Sequence, residues 1–143
     1  MPGQESKFTF MQVKIDTKEK FHAITVAAPI LSAVMTEELG NTLLPYLQND
    51  GKDPGAHVKN VVLILKDIQK IDMEAAGKLV ELQQKFYENS ASFVICELQQ
   101  EVEDFLDKNE LLELMNVTPT ESEAWDIVQM EEIERELLDG EDV

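Results

Sequence analysis

The sequence predicts an α/β protein: one domain on a mixed sheet of about four to five strands, with βαβ units and about four helices. Three observations carry this. Val61-Val62-Leu63-Ile64-Leu65 is a continuous apolar run with branched side chains, the pattern of a strand covered on both faces. A stretch with helical spacing and a second apolar run, Phe93 to Cys96, follow at short range, an order for which a right-handed βαβ unit is the natural topology. A length of 143 residues suits a single core.

The elements follow in order. Residues 1–7 read as a flexible start. Phe8 to Ile15 and Phe21 to Ala27 are β-prone and are separated by the polar Asp16, Thr17, Lys18, Glu19 and Lys20, which predicts an opening hairpin. Met35, Leu39, Leu43 and Leu47 then fall four apart, stacking along one face of a helix for which Ser32 is the N-cap. Pro45 has no backbone donor, so a kink or a weak final turn is expected there. The loop 49–59 leads to the central strand, and Lys66 to Ile71 forms a turn. Ala75, Leu79, Leu82 and Phe86 define a second helix that stops at Asn89 and Ser90. Val102, Phe105 and Leu106 support a short third helix, and Leu111, Leu112 and Leu114 a further apolar turn. Thr120 and Glu123 fit a capping box, in which each side chain satisfies a backbone donor of the last helix. That helix has two apolar stripes: Ala124, Ile127 and Val128, and, displaced by roughly 140°, Met130, Ile133 and Leu137. Either the helix is bent or broadly buried, or the second stripe meets a partner or a twin subunit. The domain is expected to span residues 8–138, with 139–143 as an acidic, flexible tail.

Charge narrows the function. Twelve Lys and Arg against 29 Asp and Glu leave −17, which repels nucleic acid and anionic lipid, so neither is expected as a partner. Residues 1–96 carry 12 acids and 10 bases, whereas residues 97–143 carry 17 acids and 2 bases. Such a half is a solvating face or a docking surface for a basic partner. The start lacks a secretory signal and no apolar run is long enough to span a bilayer, so a cytoplasmic protein is expected. One cysteine, Cys96, permits no internal disulfide and fits a reducing compartment.

Catalytic chemistry is thinly supplied. Cys96 sits in an expected buried strand, and His22 and His57 lack a second ligand at helical or hairpin spacing, so no metal is expected. Asn49-Asp50-Gly51-Lys52-Asp53 lacks the pattern of an EF-hand, and there is no glycine-rich phosphate loop. No enzyme activity and no cofactor are expected.

Ligands and partners of open α/β sheets meet the carboxyl ends of the parallel strands, which places interest on Asp67 to Gly77. The run from Val61 through Ile71-Asp72-Met73-Glu74-Ala75-Ala76-Gly77-Lys78-Leu79 resembles the strand, turn and helix start of STAS domains, the fold of bacterial anti-sigma factor antagonists. The resemblance covers roughly residues 8 to 138: Leu31-Ser32-Ala33 is similar to the family's Leu-Asp-Ala, Gln99 to Leu106 to its third helix, and Thr120 to Ala124 to its final helix start. It implies a regulatory module in signalling and transcription control, one that binds a kinase-type anti-sigma factor or another regulator and is released when the hydroxyl after the Asp is phosphorylated. This chain departs at that point. Met73 takes the place of the hydroxyl, making a degenerate phosphosite, and no Ser or Thr occurs from Leu43 to Asn89. Ser32 replaces a family aspartate near the pocket, whereas Asp72 is retained.

Three readings of the turn stand. Glu74 is a fixed negative charge where the family makes a switchable one; Asp72 is only an N-cap; or Met73 is a contact on a partner face or a filler of the core. The implied partner surface comprises Asp67, Lys70, Asp72, Met73, Glu74 and Gly77, with Ser32 and Asp72 at the pocket. The expectation is a non-enzymatic protein-binding module without the phosphoswitch. The alternative is a structural subunit that forms homodimers or scaffolds a larger signalling complex.

Overall fold

A computed structural model describes residues 12–48 and 58–141. The expected start of the first strand before Gln12, most of the loop 49–59 and His57 lie outside the described residues. Among the described residues, seven strands and four α-helices follow in chain order: β1 (Gln12–Thr17), β2 (Phe21–Ala27), β3 (Ile30–Leu31), α1 (Ala33–Leu43), β4 (Asn60–Ile64), β5 (Lys70–Ile71), α2 (Met73–Glu88), β6 (Phe93–Cys96), α3 (Gln100–Lys108), β7 (Val117–Thr118) and α4 (Glu121–Glu141). Five strands form a mixed sheet in the order β1-β2-β4-β6-β7, with β1 antiparallel to β2 and all other pairings parallel.

The hairpin forms, with a tighter turn than the run of polar residues suggests. Asp16 and Thr17 stay in β1, and the Lys18 N–H closes the turn on the Phe21 carbonyl at 2.8 Å. The apolar runs occupy the centre of the sheet because they alternate between two covered faces. Ile24, Val26, Val61, Leu63, Phe93 and Ile95 point to the core under α1, α2 and α3, while Phe21, Ala23, Val62, Ile64, Val94 and Cys96 meet Ala124 and Val128 of α4.

Helix boundaries follow local chemistry. α1 ends at Leu43 and tightens into a 3₁₀ turn, Leu44–Gln48, because Pro45 cannot supply the next helical bond. α2 buries Ala75, Leu79, Leu82 and Phe86 and stops at Asn89. Ser90 there takes a left-handed φ of 61°, and the Ala91 N–H returns to the Phe86 carbonyl at 2.9 Å. The capping box of α4 is half as drawn from the sequence. The Glu123 N–H donates to Thr120 Oγ1 at 3.2 Å, but the Glu123 carboxylate accepts from that hydroxyl instead of a backbone donor. The Glu121 N–H is satisfied by Glu97 Oε2 at 3.3 Å. α4 also continues to Glu141, three residues beyond the expected domain boundary.

Candidate partner-docking site

Two short strands build the candidate site. β3 and β5 pair in parallel outside the main sheet, with Ile30 opposite Lys70 and Leu31 opposite Ile71. The Pro29 carbonyl accepts from both the Gln69 and Lys70 N–H groups, at 2.7 and 3.1 Å. One residue past each paired strand comes an N-cap. Ser32 and Asp72 adopt nearly the same backbone geometry, with φ −97° and ψ 170° for the first and φ −98° and ψ 172° for the second. Asp72 Oδ1 accepts from the Ala75 N–H at 2.7 Å, and Ser32 Oγ from the Met35 N–H at 3.3 Å. The pairing thus starts α1 and α2 side by side, with the partial positive ends of both dipoles at one edge of the molecule.

Exposed side chains there are both apolar and charged. Ile30, Val34 and Met73 are 51%, 59% and 50% exposed, although all three could have packed as core residues. Asp67, Lys70, Asp72 and Glu74 are exposed on the turn and the start of α2, and Gly77 is half-buried one turn into α2. The turn is anchored from below: Ile68 is fully buried, its N–H bonds the Leu65 carbonyl at 3.1 Å, and Gln99 Nε2 donates to the Lys66 carbonyl at 2.8 Å. A cavity of about 330 Å³ beside it lies between Gln69, Lys70 and Ile71 and the α3 residues Glu101, Val102 and Phe105. Of the three readings of this turn, the N-cap role of Asp72 is a geometric fact, and Met73 does not fill the core. Ile30 and Val34 escape sequence reasoning. Their one signal is that Ile30-Leu31-Ser32 and Lys70-Ile71-Asp72 are the same strand-then-cap arrangement, made twice.

Of the residues considered for catalysis, Cys96 and His22 lie within the described residues, and both are buried. Cys96 is buried in β6, and burial, with the nearby carboxylates of Glu97 and Glu121, pushes its thiol up to about 12. His22 is buried, stacked on Tyr46 at 3.9 Å between ring centroids. Its Nε2 lies 2.9 Å from the Val58 carbonyl, which can only accept, so Nε2 carries the proton and Nδ1 accepts from Thr17 Oγ1 at 2.9 Å. Burial lowers its pKa, against the carbonyl that raises it. Among the described residues, no group of three or more His, Cys, Asp or Glu is placed to hold a metal ion, and no helix is long and apolar enough to cross a membrane.

The STAS domain pattern matches residues 12–124. The chain belongs to the STAS domain family. No curated protein matches the sequence. Solved structures share the fold at low identity. A Thermotoga maritima protein described as an anti-sigma factor antagonist is 18% identical, with a TM-score of 0.61 over 85% of this chain and 97% of that one. A STAS domain protein from Planctomyces limnophilus is 15% identical, with a TM-score of 0.65 over 82% of this chain and 97% of the other. The same fold recurs within the murine Solute Carrier 26 family member A9 anion transporter, at 11% identity and a TM-score of 0.64, over 90% of this chain but 24% of the transporter. In this STAS domain, the Asp72-Met73-Glu74 turn therefore sits at the carboxyl side of the central strand, at the start of α2.

Proposed function

We propose that this STAS domain is a non-enzymatic regulatory module of the cytoplasm that docks on another protein through the paired starts of α1 and α2. The anti-sigma factor antagonists among its structural neighbours suggest an anti-sigma factor as the partner class, and the resemblance of the Asp72 turn to the STAS motif suggests one of the kinase type. The observation that carries the reading is Met73, half-exposed beside the capping Asp72, with Ile30 of β3 and Val34 of α1 exposed as well. Exposed large apolar side chains among charged ones fit the composition of a protein-binding patch. A thioether cannot accept a phosphoryl group, so docking here is not released by a serine kinase acting at this position. Glu74, in the first turn of α2, supplies a permanent negative charge that the helix dipole tolerates.

Affinity capture from native extract with the wild-type chain and with Met73→Arg and Glu74→Lys tests this. The expected result is a captured regulator that both variants lose, while their sedimentation and thermal unfolding match the wild type. Recovery of only further copies of this chain, or capture insensitive to both substitutions, would favour the structural-subunit reading instead.

A further inference from the structure

From the outer face of α4, we infer a second docking surface, on the opposite side of the sheet from Met73, that takes a basic amphipathic helix of a partner protein. α4 buries Ala124 and Val128 against the sheet, and its opposite side carries the second apolar stripe uncovered: Ile133 and Leu137 are 56% and 64% exposed, and Met130 lies beside them, also exposed. With Trp125 and Gln129, Ile133 and Leu137 fall four residues apart and form one ridge of about 18 Å along the helix. At its amino half the ridge opens into a cavity of about 550 Å³ between Trp125 and Gln129 and the hairpin residues Lys18 to Phe21, roomy enough for a bulky apolar anchor.

Charge selects the occupant. α4 carries nine acids and a single base, Arg135. That base is turned inward, where it donates to Ser92 Oγ at 3.0 Å and Asn60 Oδ1 at 3.3 Å. Glu134 and Glu136 flank the stripe, exposed, with no cation of α4 beside them on that face. A second copy laid along the stripe would set these acids against their own equivalents, which disfavours self-association. A helix with apolar residues at i, i+4 and i+7 and Lys or Arg on its flanks satisfies both stripe and border. Lys20 and the Lys18–Asp16 pair edge the cavity, so the partner's cations belong over Glu134 and Glu136 and its anchor end is neutral or acidic.

The test uses two synthetic peptides of about 18 residues with one leucine spine, a length that covers the ridge. One has Lys and Arg flanks over half its length, the other Glu in the same places. The wild-type chain is expected to bind the basic peptide and not the acidic one. Ile133→Ser with Leu137→Ser should weaken that binding at least about tenfold. Glu134→Lys with Glu136→Lys should transfer preference to the acidic peptide, and Met73→Arg should change neither, which separates this surface from the first one. Equal binding of the basic peptide by the serine variant would reduce the effect to charge alone and overturn the proposal. So would absent peptide binding, or a wild-type dimer that the serine substitutions dissolve.

Discussion

The two faces of the sheet are covered in different ways. One lies under three helices and is filled by large side chains, with Phe86 and Phe93 tilted against each other at 5.2 Å. The other lies under one helix that contributes only Ala124 and Val128, with Ile127 at the margin. There, polar contacts add to a smaller apolar cluster. Glu131 accepts from Tyr87 Oη at 2.8 Å and from Ser92 Oγ at 2.5 Å, Asn60 Nδ2 donates to Glu132 at 2.8 Å, and Arg135 reaches Ser92 and Asn60. Tyr87 also accepts from Asn116 Nδ2 at 2.6 Å, and burial with the Glu131 carboxylate beside it raises its pKa far above the ordinary value. A large apolar core therefore carries the fold on one face, and a smaller apolar cluster with a hydrogen-bonded latch at the amino ends of β4 and β6 holds the other. The thinner cover leads to the expectation that α4 opens before the elements of the other face.

Substitutions on the two faces should separate in size and kind. Phe86→Ala, in the thick core, is expected to cost about 3–5 kcal/mol in denaturant unfolding and to lower the stability of the whole domain. Ser92→Ala removes a fully buried hydroxyl from the latch and leaves Glu131 and Arg135 each short of a partner, a loss of about 1–3 kcal/mol. Its signature is faster amide exchange along α4 with little change in α1 and α2. An equal loss of protection in all helices would show that the two faces unfold as one.

The next effect is pH-dependent and belongs to the hairpin edge of the sheet. Burial holds the folded pKa of His22 below its ordinary 6.5, so the unfolded chain takes up the proton first as pH falls. Stability present near neutrality is therefore lost as pH drops below 6.5, and the loss levels off below the folded value. Urea midpoints from about pH 7.5 to about pH 5 should fall for the wild type and be flatter for His22→Gln. The smallest effect is a gain. A Cβ at Gly77 would meet nothing within 4 Å, so Gly77→Ala should stabilise the domain by about 0.5–1 kcal/mol in the same unfolding assay.

The sheet and its helices were legible because their signals are strong: Val61 to Leu65 carries the branched apolar signature of a strand covered on both faces, and Leu79, Leu82 and Phe86 the spacing of a helix's inner face. β3, β5 and β7 were not, since two residues have no period. Hence Asp72 could be read as a cap, but not the pairing that sets a second cap, Ser32, and Val34 beside it. Pro45 announced the end of α1, and the two stripes of α4 were visible as a conflict that the structure resolves by exposing one. The latch was hidden, because Asn60, Tyr87 with Ser92, and Glu131 with Arg135 come from three distant stretches of chain with no shared spacing.

The central claim, that the paired starts of α1 and α2 are the face offered to a regulator, is met most directly by amide hydrogen exchange on the chain with and without the captured protein. New protection should concentrate in residues 67–77 and in the first turn of α1, and vanish with Met73→Arg. Protection confined to α4, or none at residues 67–77 in a saturated complex, would contradict it.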